Sequence, residues 1–454
     1  MNEGRSPSHL ISDLNVNSGF FGQPPGLMFL FFVEMWERFS YYGMKALLVL
    51  YLVDAQRWSI SRAANLYGNY TALVYIAPLL GGYLADRFIG TRRSLVWGGI
   101  VIACGHFTLA FQGTYTFYAG LGLIIVGTGL FKPNVSTMVG QLYAPKDQRR
   151  DAGFTIFFMG ISVGALLAPL ACGYLAQRVG WNYGFAAAGV GMVLGLLLYL
   201  WGRNRYLPGI GYPSAIPTKE ERRAVPITSE DRKRVLAVLL VVLITIPFWA
   251  CYEQVGSSLS LFADHHIART LGHFVIPASW FQSINPVVIL AFAPALAFLW
   301  EYLEKRNREP SAPSKMAVAY LFLAIGFGFA TWAGFRSEIF LLVSPLWFVA
   351  TDLFRSWGEL MLSPVGLSYV TKVAPVRYGS RLMAAWFLAE GIGNKFAGSI
   401  AAYSGSIRAG HFYAIFVIIG VVSMIGLITM IPLLKYLARQ TDQPHADGNG
   451  TSDS

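Results

Sequence analysis

The sequence predicts an all-α integral membrane protein, with about twelve transmembrane helices in two six-helix bundles around a central cavity. Composition is the first reason: of 454 residues, 55% are hydrophobic and 13% charged, with a mean hydropathy of +0.49, outside the range of soluble globular chains. Apolar runs are the second, because about twelve stretches are long enough to cross a hydrocarbon core of about 30 Å. The third is a polar stretch midway that divides the runs into two groups of six.

In chain order the runs are 27–53, 64–86, 95–112, 115–142, 152–176 and 183–201, then 235–262, 276–303, 316–334, 339–371, 382–403 and 412–437. They define a cytoplasmic N-terminal segment 1–26, a bundle 27–201, a cytoplasmic linker 202–234, a second bundle 235–437 and a disordered, polar cytoplasmic tail 438–454. The first segment lacks the basic start, apolar middle and small-residue cleavage site of a secretory signal, so the first helix is expected to act as its own insertion signal. Lys and Arg gather in alternate loops: Arg87, Arg92 and Arg93; Lys146, Arg149 and Arg150; the linker; Lys305, Arg306, Arg308 and Lys315; Lys372, Arg377 and Arg381. The loops between them hold few cations, which by the positive-inside rule sets both termini in the cytoplasm. The same topology accounts for the net charge of +11 without a nucleic-acid partner. Cys104, Cys172 and Cys251 all lie in apolar runs, as packing residues rather than a disulfide framework.

The first run breaks its own pattern with Glu34, Glu37 and Arg38. At about 100° per residue these three fall with Tyr41, Tyr42 and Lys45 within about 140° of arc. Phe, Leu, Val and Met occupy the other side. Charges in a bilayer-length helix must face a bundle interior or a wet cavity, the pattern of a transport path. Lys132 is also a lone cation in an apolar run, an insertion cost of about 2.5 to 3.5 kcal/mol that calls for an anionic partner or a carboxylate ligand. Glu359 is the natural candidate. It lies with Asp352, Arg355 and Ser363 at helical spacing on one face of the tenth run, where Arg355 could bridge both carboxylates.

Gly81-Gly82-Tyr83-Leu84-Ala85-Asp86-Arg87, followed by Arg92-Arg93, resembles the loop motif of the major facilitator superfamily, in which Asp86, Arg87, Arg92 and Arg93 would brace an inner gate. Glu34-Met35-Trp36-Glu37-Arg38-Phe39-Ser40-Tyr41-Tyr42-Gly43 resembles the first-helix signature of the proton-dependent oligopeptide transporters. Gly129-Leu130-Phe131-Lys132-Pro133-Asn134, Phe248 to Ser258, Pro277 to Pro286 and Gly358 to Leu367 resemble the same family's fourth, seventh, eighth and tenth helices. The resemblance extends over nearly the whole chain. It implies a major facilitator fold and a monomeric, proton-coupled symporter that imports di- and tripeptides by alternating access in the plasma (bacterial inner) membrane. Its partners would be a short peptide, protons and membrane lipid, with no cofactor, metal, nucleic acid or catalytic residue.

By the resemblance, Lys132 takes the peptide carboxylate and Glu359 the ammonium, the two pairing when the site is empty. Glu34 and Glu37, with Arg38 as partner, have the makings of a proton switch responsive to Lys132. Tyr41, Tyr42, Lys45, Tyr75, Ser162, Trp249, Glu253, Asn285, Ser363, Trp386 and Glu390 complete the expected cavity lining. Three departures stand out. The second-helix histidine of many relatives is Gly68 here, which rules out protonation at that site and leaves more of the proton work to the first helix. The fifth-helix Asn is Ser162, so one amide contact to peptide backbone is in doubt. Glu390 stands where relatives often have a small or hydroxylated residue, and could serve as a proton site, an ammonium contact or a partner of Lys395. The two extra helices common in bacterial members do not fit in the polar 202–234 stretch.

Two other function classes remain open at this point: a proton-coupled carrier of nitrate or another small solute, or a drug exporter, and an integral-membrane enzyme. The enzyme reading needs clustered His and carboxylates, and His265, His266 and His273 are the only concentration, expected in a solvated outer loop.

Overall fold

The computed structural model describes residues 22–111, 113–144, 147, 149–212 and 228–438. The first 21 residues, Lys146, the middle of the linker with Lys219 to Arg223, and the tail from 439 lie outside them. Among the described residues twelve long helices follow one another: α1 Pro25–Leu50, α2 Ile60–Leu84, α3 Thr91–Ala110, α4 Thr114–Gln141, α5 Arg149–Tyr174 and α6 Trp181–Tyr206. The second six are α7, in two pieces Ser229–Tyr252 and Ser258–His266, then α8 Ile284–Lys305, α9 Ala312–Phe340, α10 Pro345–Val373, α11 Gly379–Ala401 and α12 Ala409–Ala438. Nine of the described helices are long and apolar enough to cross a membrane. The remaining three, α1, α10 and α11, are those whose hydropathy is broken by the charges singled out above.

Some boundaries differ from the sequence expectation. Helix α6 runs on to Tyr206 and α7 starts at Ser229, so helix extends into both ends of 202–234. A capping box explains the second start: the Thr228 hydroxyl accepts from the Asp231 N–H at 3.1 Å, and the Asp231 carboxylate accepts from the Thr228 N–H at 3.1 Å. The ninth helix continues to Phe340, past the expected 334, and ends where Leu341 takes a positive φ of 62°. Helix α10 then begins at Pro345 instead of 339, capped by the Ser344 hydroxyl.

Small residues let the helices approach closely, as expected where packing replaces the hydrophobic drive. A Cβ at Gly81 of α2 would stand 1.9 Å from the Gly129 carbonyl oxygen of α4, so only glycine fits that crossing. Two apolar cores show how the bundles meet. Leu27, Phe29 and Leu30 of α1 pack with Leu95, Met138 and Tyr199 in a core that belongs to the first bundle alone, at the end nearest the linker. At the opposite end Leu47, Leu48 and Tyr67 of the first bundle share one core with Val255, Leu259 and Phe281 of the second. The hydrogen bonds agree: Trp280 donates to the Leu170 carbonyl at 3.0 Å, Ser283 to that of Leu166 at 2.8 Å, and Gln282 to that of Ala46 at 3.4 Å. The polar contacts from Lys45 and Tyr67 to Glu253 and from Gln177 to Ser279 join the bundles in the same part of the molecule, above the space enclosed between them.

A buried charge network as candidate functional site

Helix α1 supplies one wall of that space. The Arg38 guanidinium lies 2.9 Å from Glu34 and 2.5 Å from Glu37, and all three side chains are almost fully buried. One cation thus faces two carboxylates. Two turns on, the Lys45 ammonium reaches across to the second bundle and meets both oxygens of Glu253, at 2.9 and 2.8 Å, while the Tyr67 hydroxyl donates to Glu253 at 3.0 Å. Tyr41 and Tyr42 lie between these two ion pairs, their rings 5.2 Å apart and edge to face. Lys45 lies 5.6 Å from the Tyr42 ring centre and Arg38 5.5 Å from that of Tyr41, both within cation–π range.

The second bundle answers with carboxylates. Glu359 of α10 accepts from the Tyr252 hydroxyl at 2.5 Å and from the Asn285 amide at 2.8 Å. Asn285 also donates to Ser356 at 2.9 Å, which ties α8 to α10. Arg355 pairs with Asp352, donates to the Tyr252 carbonyl at 3.0 Å and lies 4.2 Å from that residue's ring centre. Tyr252 therefore stands between Arg355 and Glu359, and the expected direct bridge from Arg355 to both carboxylates is not made.

Lys132 of α4 sits 4.3 Å from the ring centre of Tyr75. The carboxylates acting on it most strongly are Glu390, Glu37 and Glu34. No ion pair joins it to Glu359 among the described residues, contrary to the pairing expected in an empty site. The reason is in the packing: α11 rather than α10 lies against α2, with Gly391 in contact range of Ala72 and Tyr75, so Glu390 is brought toward Lys132. Glu390 is 8% exposed and lies on the part of α11 that packs against Tyr75, and among the described residues no ion pair joins it to Lys395.

These geometries meet known proteins at the scale of the whole chain. The sequence model described as POT family matches residues 92–222 and 215–415. The di-/tripeptide transporter of Lactococcus lactis subsp. cremoris is 34% identical, over 92% of this chain and 97% of its own. The chain belongs to the POT family. Another relative, the uncharacterized transporter YclF of Bacillus subtilis, is 36% identical over 92% of this chain and 95% of its own. A crystal structure of a peptide transporter POT in complex with sulfate, 32% identical, covers 96% of this chain and 100% of that one with a TM-score of 0.84. A POT family transporter in complex with 5-aminolevulinic acid, 28% identical, gives 0.86 over 93% of this chain and 99% of that one.

A POT family member with a major facilitator fold is a multi-pass membrane transporter, and the membrane-enzyme reading falls. Of the expected lining residues, the structure joins Lys45 to Glu253, Asn285 to Glu359 and Tyr75 to Lys132, and packs α11 at Gly391, beside Glu390, against Tyr75. Ser162 donates back to the Phe158 carbonyl of its own helix at 3.5 Å, and Ser363 is half-buried. Trp249 packs edge to face on Tyr252 at 5.4 Å, and Trp386 is buried against Gly366. The loop motif is engaged within its own bundle. Arg92 donates to the carbonyls of Leu207 and Ile210, the latter at 2.6 Å, Arg87 bonds Tyr83 at 3.1 Å, and Asp86 and Arg93 carry no ion pair among the described residues. His265 and His266 end α7 instead of lying in a loop, and His265 lies 3.8 Å from Asp54 and 3.7 Å from Asp264.

Tyr67 and Tyr252 are site residues that the sequence reading passed over. Tyr67 lies eight residues before Tyr75, two helical turns on the same face, and Tyr252 directly precedes Glu253. Those two spacings were the available signals.

Proposed function

We propose that this protein is a proton-coupled symporter that imports di- and tripeptides by alternating access, with the linker and both termini in the cytoplasm. The observation that carries the reading is the charge arrangement around Lys132. Among the described residues, a half-buried cation rests on a tyrosine ring near three carboxylates without an ion pair to any of them, while the hydrogen bonds to Glu359 come from neutral donors. A peptide zwitterion supplies both missing partners: its carboxylate to Lys132 and its ammonium to Glu359. Names of relatives support the substrate class, including a peptide transporter of Yersinia enterocolitica and a POT structure in complex with alafosfalin.

Coupling follows from the same geometry. When a substrate carboxylate neutralises Lys132, the positive field on Glu34 and Glu37 weakens, and with Arg38 able to balance only one of them the other is prepared to take a proton. Loss of that proton restores the pull of Lys132 on Glu34 and Glu37 and releases the peptide. Opening the far end would require Lys45 and Glu253 to part, while the linker end closes around the cavity.

The test is uptake of alanyl-alanine and tri-alanine into liposomes holding the purified protein, with and without an inward proton gradient. Gradient-stimulated accumulation of both is expected, and its abolition by a protonophore. Absence of gradient-stimulated uptake together with absence of peptide binding overturns the proposal. One observation favours a second reading, because Lys132 without an ion-paired partner also suits a small anion. Gradient-driven nitrate uptake that peptides do not inhibit would establish that reading instead.

A further inference from the structure

Charge pairing within the cavity does not close. Lys45 balances Glu253, Arg355 balances Asp352, and Arg38 balances one of Glu34 and Glu37. Among the described residues Lys132 is the cation left to answer the other first-helix carboxylate and Glu390, while neutral donors hold Glu359. Glu390 is the member of this set on the second bundle that no hydrogen bond to a neutral donor holds among the described residues, as Tyr252 and Asn285 hold Glu359. It is over nine-tenths buried, it lies where α11 packs on Ala72 and Tyr75 of α2, and Glu253 and Glu359 act on it with like charge. Its one strongly acting cation is Lys132, across the boundary between the bundles, which also feels Arg38, Glu34 and Glu37.

We infer that Glu390 is a specificity-determining residue that selects peptides carrying a basic side chain. The inference rests on the peptide reading above. Once a peptide carboxylate occupies Lys132, Glu390 loses the cation that balances it and is left as a buried charge without a partner, a costly state in a low-dielectric site. A lysyl or arginyl side chain of the same peptide restores the balance. The surroundings suit such a chain, because Gly391, the next residue, packs against Tyr75, whose ring already receives the Lys132 ammonium at 4.3 Å and is a surface for an aliphatic stem and its cationic head. Trp386, one turn earlier on α11, is already buried against Gly366, so the side chain would lie on the tyrosine side of Glu390.

The experiment measures binding of alanyl-lysine, alanyl-alanine and alanyl-glutamate to the purified full-length protein at neutral pH, in the wild type, Glu390→Gln and Glu390→Asp. The wild type is expected to favour alanyl-lysine over alanyl-alanine by about tenfold, just under the smallest coupling measured for close charge pairs, and to disfavour alanyl-glutamate. Glu390→Gln brings the lysyl-to-alanyl ratio toward one, and Glu390→Asp, which keeps the charge, retains most of the preference. Because the readout is a ratio within one preparation, a general loss of folding does not mimic it. A wild type that binds the two peptides equally, or a ratio unchanged in Glu390→Gln, overturns the inference while leaving the peptide reading intact. The same holds if Glu390→Gln alters only the number of protons moved per peptide, since protons would then fill the charge deficit. Failure of every peptide to bind the wild type overturns the peptide reading and this inference together.

Discussion

Lys45 and Glu253 are the residues whose pairing holds the two bundles together at the far end of the cavity. Both are about 95% buried or more, and Glu253 also accepts from Tyr67, so its charge is met from two helices of the opposite bundle. Removing one partner of a buried pair leaves an uncompensated charge, at a cost of about 3–5 kcal/mol, whereas removing both together costs much less. Glu253→Gln and Lys45→Met are each expected to lower the thermal stability of the empty protein, and the double variant to recover most of the loss. A double-mutant cycle measures this directly, and a coupling energy below about 0.5 kcal/mol would show that the pair contributes nothing to the closed end. The helical spacing in α1 shows that Lys45 shares the charged face, yet it cannot name a partner 208 residues away. The same limit applies to Lys132. Its need for an anion is evident from its apolar surroundings in sequence, but Glu390 rather than Glu359 lies toward it because of how α11 seats on α2, which no spacing within α4 or α10 encodes.

Among the elements, the crossing of α2 and α11 illustrates why a position can matter without carrying chemistry. A Cβ at Gly398 would stand 2.4 Å from the Ala64 carbonyl oxygen and 2.6 Å from Cα of Gly68, backbone contacts that cannot yield as a side chain could. Gly68, where many relatives carry histidine, is thus half of a glycine-on-glycine contact between bundles in this chain. Gly398→Val is expected to prevent that approach and to reduce uptake at least tenfold while the protein still purifies as a folded species. Gly122→Ala in α4, where nothing lies within 4 Å of an added Cβ, serves as the control and is expected to stay within about 0.5 kcal/mol of wild-type stability. Retained uptake in Gly398→Val would show that the crossing need not close. Most helices were legible as apolar runs, whereas the interruption of α7 at Glu253–Gly256 was not. Nothing in Phe248 to Ser258 resembles a helix stop except Gly256. The break is held instead from outside, by the Tyr67 ring against Gly256 and by the Gln254 amide, which donates at 3.0 Å to the carbonyls of both Ala250 and Ala397.

For the molecule as a whole, two bundles with a polar linker could be read from hydropathy and cation distribution, but not which end of the cavity is shut. That difference is a matter of a few contacts between otherwise rigid bodies, and one sequence must encode both arrangements for a carrier to work. In this structure the part of the shared apolar core where Leu47, Leu48 and Tyr67 meet Val255, Leu259 and Phe281, and the Lys45 to Glu253 pair, lie on the side away from the linker, while the first bundle has a core of its own on the linker side. Spin labels at Thr137, near the linker end of α4, and at Thr371, near that of α10, should therefore report a long separation as the main population in the empty wild type. Both positions are exposed, so the labels need not disturb packing. Gly398→Val removes the contact that favours this arrangement and leaves the linker-end interfaces untouched, so its population is expected to shift toward the shorter separation. A shift from 9:1 to 1:9 corresponds to about 2.6 kcal/mol between the two arrangements, a scale that one backbone clash can supply. An unchanged distance distribution in Gly398→Val would mean that the far-end crossing does not control the linker end, and the two ends would then have to be gated independently.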